Sequence, residues 1–137
     1  MTGPEDVARQ VLDAVESLAP LWFSAVEDVT PRLSPRQVMA LRTVRRRPEL
    51  NLTALAEQLG VGLPTASRLC DRLEAAGMLQ RDLRLDDRRE VRLVLTERGR
   101  QFLADVTESL SARLTDALGA MPPAERARVE QALRALG

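Results

Sequence analysis

Two pairs of arginines stand where a guanidinium can do chemistry. In SRLCDRL, Arg68 and Arg72 are four residues apart, and in LDDRREV, Arg88 and Arg89 are adjacent behind two aspartates. A guanidinium keeps its charge and presents a planar fork of donors that matches phosphate oxygens or the acceptor edge of guanine, which an ammonium cannot do. All twenty basic residues are arginine. The chain has no histidine, lysine or tyrosine, so the commonest general base, Schiff-base chemistry and the usual amine nucleophile are missing, and an enzyme is not expected. Its one cysteine, Cys70, permits no internal disulfide, and without histidine no ordinary structural zinc site is expected; nor is any cofactor.

The net charge of zero hides an uneven distribution. Residues 30–96 hold 13 arginines against 8 acids, residues 1–29 hold 1 against 6, and residues 97–137 are balanced. A net +5 in the middle of the chain makes a polyanion its natural partner. With 137 residues and 45% hydrophobic content, one domain over 1–137 is expected. No run of 18 apolar residues suggests a membrane span, and the start MTGPEDVARQ is acidic where a leader would be positive, so a cytoplasmic location away from membranes is expected.

These arginines need elements to hold them. Val7, Val11, Val15, Leu18 and Trp22 fall at helical spacing, with Pro20 predicting a kink or restart near Ala19. LSPRQVMALRTV opens a second helix with Ser34 as N-cap, Pro35 in the first turn and Gln37 completing a capping box. Next come a short helix that Thr53 can cap and Gly60 ends, and another ended by Gly77, with Gly62 at its N-cap. Ala66, Leu69, Cys70 and Leu73 mark the buried face of the latter, so Cys70 is expected to act as a small hydrophobe. MLQRDL and EVRLVL read as a hairpin, with Val91, Leu93 and Leu95 on one face and Arg92 on the other. Thr96 can cap a long helix carrying Phe102, Val106, Leu110, Leu114 and Leu118, which Gly119 is expected to stop; a last helix carries Val129, Leu133 and Leu136.

Four patterns in register carry a resemblance: LSPRQ, LTALAEQLGV, SRLCDRLEAAGML and DDRREVRLVLTERG. Together, over residues 34–100, they resemble the MarR family of bacterial transcriptional regulators. The resemblance implies a mainly α fold, a winged helix-turn-helix of order α-α-α-α-β-hairpin-α-α. Residues 30–96 would be the DNA-binding region, and residues 5–29 and 97–137 a helical region that pairs two copies into a homodimer. The broad apolar stripes at both chain ends need cover, which makes that pairing physically reasonable. The fourth helix is expected in the major groove of double-stranded DNA, with Thr65, Ser67 and Arg68 near base edges and Arg72 on phosphate. The alternative for Arg68 is a solvated side chain or a pair with Asp71 or Glu74. Ser34 and Arg36 at the second helix start are expected on the backbone. Arg88 and Arg89 are expected at the wing tip in the minor groove, with Asp87 orienting a nearby arginine. For Arg45 to Arg47 the choice between phosphate contact and a solvated face stays open.

The resemblance further implies a ligand-responsive repressor with a small, often aromatic effector, and Trp22, Phe23, Met39 and Arg42 are candidates to line its pocket; their plainer reading is core or interface. Oxidant sensing through a first-helix cysteine does not carry over, because residues 5–29 contain none. A winged-helix protein-interaction module that has lost specific DNA binding is the alternative function, and the retained arginines on the fourth helix and wing speak against it.

Overall fold

Local signals account for most of the helix boundaries. The computed structural model describes residues 3–83 and 91–135, the side chain of Leu83 excepted. Among these the chain is mainly helical, in the order α1 (Pro4–Asp28), α2 (Pro35–Arg46), α3 (Leu52–Leu59), α4 (Leu63–Ala75), β1 (Leu79–Leu83), β2 (Val91–Leu95), α5 (Glu97–Ala120) and α6 (Pro123–Arg134). The strands form one antiparallel pair in which Leu79 faces Leu95 and Asp82 faces Arg92. Arg88, Arg89, Asp87 and Leu136 lie outside the described residues.

The capping box at α2 is present in full: Gln37 N–H donates to Ser34 Oγ, and Ser34 N–H donates to Gln37 Oε1 at 2.7 Å. At α3 the cap is Asn51 and not Thr53. Asn51 Oδ1 accepts from Ala54 N at 2.8 Å, because the third amide of the helix lies three residues after its cap, and Thr53 is already inside. Gly60 ends α3 with φ +66°, a left-handed conformation that costs glycine little. α4 begins at Gly62 without a side-chain cap.

Three other boundaries differ from expectation. α1 runs unbroken through Pro20, which sits on the exposed side, where water can satisfy the Glu16 carbonyl that loses its amide partner. α5 passes through Gly119 and ends at Ala120, one glycine being a smaller penalty than a lost turn. In α6 the buried residue is Ala132, whereas Leu133 is 42% exposed and Val129 half-buried, so the face is turned from the one expected.

The chain divides into two compact units, residues 29–106 and residues 1–28 with 107–137. The first has a core of large side chains: Leu41, Leu55, Leu73, Met78, Leu79, Leu93 and Leu103 are all fully buried. Its β1 end is joined to α5 by Thr96, whose Oγ1 donates to Gly77 O at 2.6 Å and accepts from Gly99 N at 3.0 Å, the cap expected of it. In the second unit α1 packs on α6, and Asp28 pairs with Arg113. Among the described residues there, only Ala14, Ala25, Val26 and Ala132 are buried, while Leu12 and Val15 are 54% and 47% exposed.

Candidate nucleic-acid interface

α4 has two chemically distinct sides. Ala66, Leu69, Cys70 and Leu73 are buried, as their spacing predicts. Burial pushes the Cys70 thiol up to about 11; neighbouring Asp71 and Glu74 add to that rise and Arg81 opposes it. The other side carries Pro64, Arg68 and Arg72, all exposed, with Thr65 and Ser67 half-buried at its border.

What keeps the arginines of this side available is a residue the sequence reading did not single out. Arg81, on β1, donates from Nη1 to Asp71 Oδ1 at 2.9 Å, lies 3.8 Å from Glu74 Oε2, and donates from Nη2 to Ser67 O at 3.4 Å. The hydrogen bond to Asp71 leads the effects that raise its pKa above the ordinary arginine value. Asp71, the acid three residues after Arg68, is thereby engaged elsewhere, as is Glu74. Arg68 instead makes a weak 3.5 Å hydrogen bond to Thr65 Oγ1. Arg72 and Arg36 have no ion pair among the described residues, and Ser34 and Arg36 are exposed at the start of α2.

A second arginine plays a comparable part on β2. Arg92 Nη2 lies 3.3 Å from Asp82 Oδ2 and Nη1 lies 3.6 Å from Glu49 Oε1, so it bridges the hairpin and the α2–α3 connection. Of the two networks, only the Asp82–Arg92 part was readable beforehand, since hairpin register sets those residues opposite each other. Nothing in local spacing joins Asp71 to Arg81.

The remaining candidates are on other helices. Trp22 and Phe23 are on α1, the latter exposed, and belong to one compact unit; Met39 and Arg42 are on α2 in the other. Partial burial, then Arg46 and Arg45, lower the Arg42 pKa. Arg45, Arg46 and Arg47 are all exposed at the end of α2.

Residues 33–91, from just before α2 to the first residue of β2, match the model of the MarR family. Over these residues the chain is similar to that family. That family is one of transcription regulators and not of enzymes, in line with the missing catalytic side chains. The chain is 29% identical over 104 residues, 76% of its length, to the HTH-type transcriptional regulator YfiV of Bacillus subtilis (strain 168), and the match spans 65% of that relative. RV1404 from Mycobacterium tuberculosis is similar in structure with a TM-score of 0.84 and 28% identity, over 99% of this chain and 93% of that one. Streptococcus pneumoniae FabT, solved in complex with DNA, has the same fold at a TM-score of 0.66 and 24% identity, over 76% of this chain and 73% of FabT.

Proposed function

We propose that this chain is a MarR family transcription regulator that binds a pseudo-palindromic DNA site as a homodimer. Each α4 enters a major groove, with Thr65, Ser67 and Arg68 at base edges, and the half-sites lie one helical turn apart, about 34 Å. Arg72, Ser34 and Arg36 take phosphates, Asp87 orients a nearby arginine, and Arg88 and Arg89 reach the minor groove. The observation that carries this reading is the outward side of α4, where Arg68 and Arg72 stay exposed while Asp71 and Glu74 are held by Arg81. Phosphate supplies the missing counter-charge. The FabT–DNA complex supports the reading by fold.

Residues 30–96 then act as the DNA-binding region, and residues 5–29 and 97–137 as the dimerisation region. The exposed Leu12, Val15 and Leu133 support pairing, because helices that bury only small side chains gain most from a second copy. Regulation is by a small aromatic effector that releases DNA from a repressor. Quenching of Trp22 emission, the only tryptophan signal of the chain, reports its binding.

Selection of bound sequences from random duplex DNA tests the proposal. A palindromic site is expected from the wild type, with relaxed base preference for Arg68→Ala. Absence of any enriched palindrome overturns specific regulation; unchanged preference in the variant overturns base reading by Arg68.

A further inference from the structure

β2 is fastened along its middle, at Arg92 and Leu93, to the chain segment that starts α3. Leu93 N–H donates to Leu50 O at 2.9 Å, and Arg92 forms an isolated antiparallel bridge with Asn51, the residue that caps α3. The Arg92 side chain adds to this attachment: one arm of its fork lies near Glu49, before Asn51, and the other near Asp82 on β1. Its Nε is shut off from water with no hydrogen-bond partner among the described residues, so the stem is wedged between the segments it joins. Beside this attachment the ribbon has room. A cleft of about 430 Å³, lined by Asn51 and Leu93 of the attachment and by Thr53, Ser67, Arg81 and Val91, opens between the strands and the starts of α3 and α4.

We infer that Arg92 is a positioning residue that braces the hairpin against the α2–α3 connection and fixes the direction in which the two strands leave the helix-turn-helix. A two-stranded ribbon has little stability of its own. At about 3.3 Å per residue, five residues of strand make a lever of about 17 Å, so a tilt of about 10° at the base displaces the far end by about 3 Å. That displacement exceeds the tolerance of any hydrogen bond. An arginine suits the task because its fork meets two carboxylates on two segments at once, whereas a lysine ammonium is a single point charge. The pairs are solvent-accessible and add little to global stability. Their effect lies in where the ribbon points.

The consequence for DNA rests on the proposed function; the brace itself does not. Two measurements on the full chain separate them. Amide hydrogen exchange of Leu93 is expected to rise about tenfold in Arg92→Gln, while the unfolding midpoint moves little; unchanged exchange overturns the brace whether or not DNA binds. For binding to the selected duplex, Glu49→Gln/Asp82→Asn removes two acids, which by charge alone tightens the complex. With the brace lost, binding instead weakens about threefold, and weakens no further in a chain already carrying Arg88→Ala/Arg89→Ala, since both changes act through the same contacts. Tighter or unchanged binding, or an equal loss in both backgrounds, overturns the inference. A wild-type chain that binds no duplex overturns the proposed function and leaves the exchange result to decide the brace.

Discussion

Arg81 on β1 and Asp71 on α4 meet at 2.9 Å, and this contact turns an acid of the helix toward the strand and away from the helix's own arginines. Replacing Arg81 with Leu frees Asp71 for Arg68, which lies three residues before it. Both partners are partly exposed, so the stability cost is small, about 0.5 kcal/mol. DNA affinity falls further, by about fivefold, because Arg68 gains an internal competitor. Adding Asp71→Asn and Glu74→Gln to Arg81→Leu restores most of the affinity without restoring stability. Fluorescence anisotropy on the three chains checks this; persistent loss in the triple variant assigns Arg81 a direct contact instead.

The thiol of Cys70 gives this chain an uncommon pH dependence. Its pKa is raised to about 11 in the folded state from an unfolded value near 9.0, so the folded state holds the proton more tightly. The resulting stability is complete below pH 9 and is lost as pH rises to about 11, amounting to about 2 kcal/mol. With no lysine or tyrosine in the sequence, no other side-chain type ordinarily titrates in that window. Urea denaturation from pH 8 to 11 is expected to show the fall in wild type and to lose most of it in Cys70→Ala.

Gly99 is required by contact. A Cβ there would stand 2.2 Å from Met78 O, the same carbonyl that accepts the Thr96 amide at 3.1 Å. Gly99→Ala must push the first turn of α5 off the α4–β1 turn. A loss of about 3 kcal/mol is expected, against a gain of up to about 1 kcal/mol for alanine at Gly119, which lies inside α5 with nothing within 4 Å. Equal midpoints in guanidinium for the two variants disprove the close-approach account.

Ser34 holds two assignments that one substitution series separates. Ser34→Ala removes the α2 cap and costs about 1 kcal/mol; under the proposed function it also weakens DNA binding. Ser34→Asp keeps the cap and suits the helix N-terminus, so stability is retained, but its charge repels phosphate and affinity falls below that of the alanine variant. Calorimetry and anisotropy on the same samples read the two effects. Parallel changes in both would mean that Ser34 serves the fold alone.

Features that depend on neighbours within one turn were legible in the sequence. The Ser34–Gln37 box, the left-handed Gly60, the buried line Ala66–Leu69–Cys70–Leu73 and the Thr96 cap each close over three or four residues, where spacing and chemistry leave one solution. Even locally the reading failed where two signals competed: Asn51 against Thr53 for the α3 cap, and Gly119 against the propagation of α5. On α6 the periodicity pointed to Leu133, but the helix buries Ala132, because a small side chain permits the closer approach to α1.

The arginines show the other limit. By helical spacing, Asp71 was as available to Arg68 as to any cation, and the sequence identified which residues could bear charge outward without identifying their partners. The antiparallel return of β1 brings Arg81 to Asp71, and the backbone bridge at Asn51 brings Arg92 to Glu49. A like charge at the right spacing is degenerate along the chain; only the packing of strand against helix breaks that degeneracy, because it decides which carboxylate lies within 4 Å of which guanidinium.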